Sequence, residues 1–454
     1  MAAPADKFAR LAALKPARLA PARHEAEALR APGEDDVIGR VLGAGVAKNH
    51  FGEHLAIRNW FSTPIQKDVS SITLELLSRT RDESLSRKTR AVLEDPARWL
   101  FLDTETTGLA GGTGTYAFLV GLAWWDAGGL QTEQFFMRDF TEEYSLLYEL
   151  AGRVAERPVL VTFNGKSFDW PLLENRFAMT RTIPTPKLAA HLDLLHPARA
   201  LWKLRLGSVR LVELERQVLD ARRLGWRRED DVSSAMIPQF YFDYLRGGPS
   251  EPLSGVVRHN QMDLRGLAAL FGKINMMLSE PAGIPQEAES LDLFGLSRFF
   301  QRRGDATRAQ SACSQALAIG LPVEFRPKAQ RDLALLAERS GEHARAAGIW
   351  QEILGDPQDG ILACEQLAIH YERYAKDVEK AKEFARLGLA KAKRQRLTSF
   401  RNLRDVHLAA RLERLERKFT ARLARLERKS SRSSPAQPRD ARAASAQKAN
   451  SALW

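Results

Sequence analysis

The sequence predicts an α/β domain, a mixed sheet with helices packed on it, followed by an all-α domain of repeated helices. Three observations lead there. Between residues 96 and 280, apolar runs of strand length alternate with helical stretches. Two of those runs are joined by Asp126-Ala-Gly-Gly129, a Gly-rich joint suited to a hairpin, and the helix, strand and helix that follow suggest a mixed sheet. From about residue 289 the pattern is wholly helical, and Leu296, Phe300, Gly304 and Ala309 recur as Leu333, Ala337, Gly341 and Ala346, a step of 37 residues.

A chain of 454 residues with 44% hydrophobic content has room for about two to four domains with real cores. No run of 18 apolar residues occurs, so no membrane-spanning helix is expected. The first 30 residues lack the apolar block of a signal peptide; they are basic and Ala-rich, but Asp6, Glu25 and Glu27 oppose an organelle transit peptide. Only Cys313 and Cys364 are present, without zinc-site or disulfide spacing, so a reducing, cytoplasmic setting is expected. Residues 392 to 454 hold 17 Lys/Arg against 5 Asp/Glu and so account for the whole formal net charge of +12. Such a tail attracts phosphate backbones without reading sequence, or is simply a solvated helix followed by disorder.

Residues 1–95 form an N-terminal region expected to be partly ordered. Pro16, Pro21, Pro32 and Gly33 interrupt any long helix, and 65 to 93 mixes charge and apolar residues without a period. The domain at 96–280 then offers strands at 98–105, 116–125 and 130–137. A helix at 141–156 follows, with Thr141 as N-cap and Glu142 and Glu143 in its first turn. Strand 159–163 leads into Asn164-Gly-Lys-Ser-Phe-Asp169 and a helix carrying Leu172, Leu173 and Phe177. A strand end near 191–196, a helix from Ser208 to Leu219, an irregular polar stretch at 221–235 and a helix at 254–278 complete the domain. Ile237 to Arg246 gathers aromatics beside an arginine, as core packing or as a surface on which an unpaired base stacks.

The chemistry centres on Trp99-Leu-Phe-Leu-Asp-Thr-Glu-Thr-Thr-Gly108. Strand alternation puts Asp103 and Glu105 on one face at the end of a buried run. Two like charges about 4 Å apart repel by roughly 4 kcal/mol at an effective dielectric near 20, so the pair wants water, a proton or a cation. A divalent metal is one answer and a solvated strand end the other. Asp169, at a helix start, is a cap residue or a third acid, with the Asn164 amide nearby. His259 and Asp263 lie four apart on one helix face, as a surface pair or as a base beside a metal ligand. The Gly-rich loop 108–115 has no Gly-Lys-Ser/Thr ending and leads into a strand, so it is not a P-loop.

Asp103-x-Glu105, Asn164-x-x-x-Phe168-Asp169 and His259-x-x-x-Asp263 resemble the three exonuclease motifs of the DEDD superfamily, which has a ribonuclease H-like fold. Phe101 to Thr115, Thr162 to Pro171, His191 to Arg199, Ile237-Pro and Tyr244-Leu-Arg246 are similar to the YprB family of bacterial proteins, in which this domain precedes helical repeats. The resemblance covers about 100 to 275. It implies a 3′-to-5′ exonuclease with two Mg²⁺ or Mn²⁺ ions held by Asp103, Glu105, Asp169 and Asp263. His259 would be the general base, although its four-residue spacing to the last Asp differs from the usual five for a histidine. Thr106, Thr107 and Gly108 would meet the terminal nucleotide, with Asn164 and Phe168 lining the same pocket; Asp193 is a weaker candidate. The implied partner is a nucleic-acid 3′ end, DNA or RNA, in a DNA-repair setting, with a helicase as the implied protein partner.

The repeat spacing at 289–392 resembles tetratricopeptide repeats, with Leu367, Tyr371 and Ala381 as a looser third copy and Pro322 and Pro357 between copies. Such an arm binds a protein partner or supports the nuclease. Residues 393–454 read as a basic amphipathic helix, apolar at Leu408, Leu412, Leu415, Phe419, Leu423 and Leu426, then a disordered tail past Lys429. A competing function follows from the His259 spacing: an adaptor whose nuclease fold has lost activity.

Overall fold

The computed structural model describes residues 16–17, 29–34, 36–62, 91–108, 114–126, 128–220, 225–279, 289–399 and 406–433. They divide into two compact units, 1–303 and 304–454.

The first unit is built on an eight-stranded sheet. Its strands are β1 Pro16–Ala17, β2 Gly45–Asn49, β3 Gly52–Ser62, β4 Trp99–Thr106, β5 Ala117–Asp126, β6 Gly129–Phe136, β7 Val159–Thr162 and β8 Ala190–Asp193. The order across the sheet is β1-β3-β6-β5-β4-β7-β8, with β2 also on β3. Each neighbour in the series β3, β6, β5 and β4 is antiparallel to the next, whereas β7 and β8 continue from β4 in parallel. Asp126 faces Gly129 across the expected hairpin, and Gly128 supplies a positive φ of 79° at its turn.

Strands β2 and β3 come from the N-terminal region, where no strand was expected. The residues hide their strand character because charge interrupts it. Leu55, Ala56 and Ile57 are buried, but Arg58 follows them, held 2.5 Å from Glu133 directly across the ladder. Most of the aperiodic stretch 65–93 lies outside the described residues, as do 109–113 of the Gly-rich loop.

Helices cover both faces of the sheet: α1 Val37–Leu42, α2 Glu143–Glu156, α3 Asp169–Thr180, α4 Leu195–Leu206, α5 Leu211–Leu214 running on as a π turn at Glu215–Leu219, α6 Ile237–Leu245, α7 Glu251–Ser279 and α8 Ser290–Arg302. Helix α2 departs from expectation at its start. A 3₁₀ turn at Phe140–Glu142 precedes it, and Asp139, not Thr141, is the capping residue, its carboxylate accepting the Thr141 N–H at 2.7 Å. Along β4, Trp99 and Phe101 meet Phe271 of α7, with ring centroids 5.0 and 6.1 Å apart. The alternate residues Leu100 and Leu102 enter the core with Leu146 and Leu150 of α2 and Leu173 and Phe177 of α3. Asp103 and Glu105 continue the α7-facing series. Of the aromatic cluster, Tyr241 is core: it stacks on Phe118 at 4.1 Å and donates its hydroxyl to the Met137 carbonyl at 3.1 Å.

Helix α8 packs on α4. Gly295 permits this, because a Cβ there would sit 2.4 Å from the Leu201 carbonyl oxygen, and Arg205 grips Asp292 in a bidentate pair at 2.8 and 2.9 Å. The first sequence repeat, from Leu296 to Ala309, therefore straddles the division between units.

The second unit is helical: α9 Ala306–Ile319, α10 Arg326–Arg339, α11 His343–Glu352, α12 Gly360–Arg373, α13 Val378–Ser399 and α14 Val406–Ser433. Leu333, Ala337, Ala346 and Leu367 are buried, and Gly341 turns the chain between α10 and α11 with a φ of 80°. Leu412, Phe419 and Leu426 of α14, one every two turns, pack into a core with Cys364, Ala381 and Ala385. Helix α14 continues past Lys429 to Ser433, so the expected disorder does not begin at 430, and residues 434–454 lie outside the described residues. Both cysteines are buried, and no helix among the described residues is long and apolar enough to cross a membrane.

Candidate active site at the end of the central strand

Strand β4 is where the sheet changes from antiparallel to parallel, and in open sheets such a switch point is where a crevice forms beyond the carboxyl ends of the strands, here β4, β7 and β8. A register shift between Glu105 and Thr106 interrupts the ladder with β5, which resumes at Thr106 opposite Ala117. Helix α7 crosses above, and three side chains on one of its faces descend to the strand end: His259, Asn260 and Asp263.

Glu105, His259 and Asp263 each offer a ligand atom, all within 4.8 Å of one another. The His259 Nε2 lies 3.5 Å from Asp263 Oδ2. Asp103 is tied to the helix through Asn260, whose amide donates to its carboxylate at 2.8 Å. Gln134 of β6 donates in turn to the Asn260 oxygen at 2.8 Å. Gly121 of β5 makes room for this relay, since a Cβ there would lie 2.0 Å from the Asn260 oxygen. Asp169, the first residue of α3, approaches from the other side of β4 and accepts a hydrogen bond from the Thr104 hydroxyl at 2.5 Å. It stands outside the 4.8 Å group, yet its charge bears on both Asp103 and Glu105.

These acids hold their protons unusually tightly. Burial first, then the charges of Asp263, Glu105 and Asp169, lifts the Asp103 carboxyl well above the ordinary range. Burial pushes Glu105 up to about 8, with Asp263, Asp169 and Asp231 adding to the rise and His259 opposing it. Burial raises Asp169 as well, against the pull of its Thr104 hydrogen bond. For His259, burial alone would lower the pKa, but the Asp231 hydrogen bond and the charges of Asp263, Glu105 and Asp231 outweigh it and hold the pKa above 6.5.

The polar stretch after the π turn supplies residues that the sequence pattern did not single out. Arg228 pairs with Asp263, with Glu215 at 2.7 Å and with Asp231 at 2.9 Å. The Asp231 oxygens lie 2.8 and 2.9 Å from His259 Nδ1. Asn260 did carry a sequence signal: it occupies a step of the apolar stripe Val256, Leu264, Leu267 and is fully buried.

The proposed nucleotide contacts divide. Phe168 is 59% exposed, a free aromatic face beside Asp169. Asn164 has a positive φ of 70°, and its N–H donates to Asp193 at 2.7 Å. Asp193 also accepts from the Lys166 and Leu195 N–H groups, so this third carboxylate at a strand end holds the 164–168 turn in place. Thr107 is committed to the hairpin, accepting the Tyr116 N–H at 2.9 Å, and the Thr106 hydroxyl donates to the Gly108 carbonyl at 2.9 Å.

Residues 100–275 match the RNase_H superfamily. The chain is also 28% identical over 322 residues to "Uncharacterized protein YprB" of Bacillus subtilis (strain 168), a match covering 70% of this chain and 75% of that protein. The first unit thus carries a ribonuclease H-like fold, a mixed sheet with flanking helices, and a helix-rich region follows it. Proteins of that superfamily are typically nucleases, which fits a nucleic-acid-processing role.

Proposed function

We propose that the ribonuclease H-like unit is a metal-dependent 3′-to-5′ exonuclease, with DNA favoured over RNA as substrate and DNA repair as its setting. The observation that carries this reading is the concentration of acids at the end of β4: burial drives Asp103, Glu105 and Asp169 each toward the protonated form, with the charges of Asp263 and Asp169 adding to the rise at Asp103 and Glu105, and that of Asp193 at Asp169. A divalent cation relieves that stress directly, and a donor set of hard carboxylate oxygens suits Mg²⁺ or Mn²⁺. Asp103, Glu105, Asp169 and Asp263 would hold two such ions, which supply Lewis-acid activation of the water and of the leaving 3′ oxygen. The chain's own part is positioning. Asn260 orients Asp103, and Thr104 restrains Asp169. His259, facing Glu105 and Asp263, takes the proton of the attacking water. Phe168 offers a ring on which the terminal base stacks, and the backbone at Thr106 to Gly108 and Asn164 borders the same crevice. The helices from α9 onward form tetratricopeptide-like hairpins that bind a protein partner such as a helicase.

A second reading is an adaptor with an inactive nuclease fold. The pairing of Arg228 with Asp263 favours it, because a guanidinium already satisfies part of the charge. The test is full-length protein with Mn²⁺ or Mg²⁺ on 3′-labelled single- and double-stranded DNA and RNA, beside Asp103→Ala. Mononucleotide release by wild type alone is expected. No release from any strand supports the adaptor, and equal release by the variant puts hydrolysis elsewhere.

A further inference from the structure

We propose that Asp231 is a positioning residue of this site: it fixes the His259 ring so that Nε2 faces the carboxylates. The inference rests on the hydrolytic reading above and assigns a task to a residue from the irregular stretch after the π turn.

The contacts define one orientation. Both Asp231 oxygens reach His259 Nδ1, at 2.8 and 2.9 Å, so that nitrogen carries the hydrogen. In the neutral ring Nε2 then keeps its lone pair, and it is this nitrogen that lies 3.5 Å from Asp263 and within the group completed by Glu105. The four-residue spacing to Asp263 now has a structural meaning: His259 sits one helical turn away on the same face and takes its aim from outside the helix.

Asp231 is itself anchored. One oxygen accepts the Val232 N–H at 2.9 Å, and Arg228 donates to the other at 2.9 Å. Arg228 is fixed by two further bonds to Glu215, at 2.7 and 2.8 Å, and the Trp226 indole donates to the same carboxylate at 3.2 Å. Gly266 of α7 lets that carboxylate approach, since a Cβ there would lie 2.1 Å from it. The segment from Trp226 to Val232 is thus tied to the π turn at one end and presents Asp231 to the ring at the other. Hydrogen bonds to His259 and Arg228 overcome the burial of Asp231 and keep it ionised. Without it the ring can rotate or hold its hydrogen on Nε2, and either change removes the acceptor from the crevice.

The experiment uses full-length wild type, Asp231→Ala, Asp231→Asn, His259→Ala and the double variant Asp231→Ala/His259→Ala. Ring-¹⁵N-labelled histidine spectra, with the His259 signal identified by its loss in His259→Ala, report the tautomer once the ring is neutral. Wild type should show hydrogen on Nδ1, Asp231→Ala a shift toward hydrogen on Nε2, and Asp231→Asn, which keeps an acceptor oxygen, the wild-type form. In Mn²⁺-dependent nucleotide release, Asp231→Ala should lower kcat about 10- to 100-fold with KM within about twofold, and Asp231→Asn should recover part of it. In the His259→Ala background the Asp231 change should cost nothing further. An unchanged tautomer in Asp231→Ala overturns the proposal, as does an additive loss in the double variant. If wild type releases no nucleotide the hydrolytic reading fails, and the tautomer spectra still decide the positioning claim.

Discussion

Glu105→Gln should stabilise the metal-free protein while abolishing its activity. The Glu105 carboxyl titrates near 4.5 in an unstructured chain and about 8 in the folded site, where burial dominates and neighbouring acids add to the rise. The sign follows from proton counting. Below about pH 4.5 both states are protonated and the group is neutral to stability. Between about 4.5 and 8 the folded state keeps a proton that the unfolded chain has released, so stability falls as pH rises, and above about 8 the full penalty stands. At about 1.4 kcal/mol per pH unit the interval amounts to a ceiling of about 5 kcal/mol, and relaxation of the strand end around the charge leaves about 2–3 kcal/mol as the expected gain. Urea unfolding in EDTA at pH 5 and pH 8.5 measures it. Tryptophan fluorescence reports mainly on the first unit, because seven of the nine tryptophans lie between Trp60 and Trp226. The variant should match wild type closely at the lower pH and exceed it at the higher; added Mn²⁺ should stabilise wild type and leave the variant behind. Parallel pH profiles, or a variant less stable than wild type at pH 8.5, would refute the account of Glu105 as a strained acid.

Three further outcomes follow from contacts elsewhere. Gly121→Ala puts a Cβ 2.0 Å from the Asn260 oxygen and should break the Gln134-Asn260-Asp103 relay, costing about 1–3 kcal/mol in unfolding experiments and at least about tenfold in nucleotide release; wild-type release would show that the relay is dispensable. Arg176→Met removes a bidentate partner from Glu143, at 2.5 and 2.6 Å with both side chains nearly excluded from solvent, and should destabilise the first unit by about 3–5 kcal/mol, read as a lower urea midpoint. Replacing exposed Arg411, Arg414, Arg417 and Arg428 of α14 with Gln leaves its packed Leu412, Phe419 and Leu426 intact and should weaken DNA binding and flatten its dependence on salt; an unchanged slope would assign the basic helix to another task.

The acids that strand and helix periods can place were legible in the sequence, and those placed by tertiary folding were not. A period of two forces Asp103 and Glu105 onto one side of β4, and a period of 3.6 sets His259 and Asp263 on one side of α7, whatever surrounds them. Asn260 was passed over, although a polar break in an apolar stripe is a signal that could have found it. Arg228 and Asp231 sit in a stretch with no period at all, and their value arises only where the π turn swings Glu215 against Gly266 and brings the segment back over α7. Strand β3 was hidden for a related reason: Arg58 looks like a surface residue until Glu133 stands beside it on the neighbouring strand. In each hidden case a charged residue is stabilised by a partner far away in the chain, which local reasoning counts only as a cost. The same logic bears on the site itself. Arg228, and His259 whenever it is protonated, set positive charge against carboxylates that repel one another, so the metal-free fold tolerates its acids through the very residues that aim them, and loss of Asp231 should disturb the aim of His259 before it disturbs the fold.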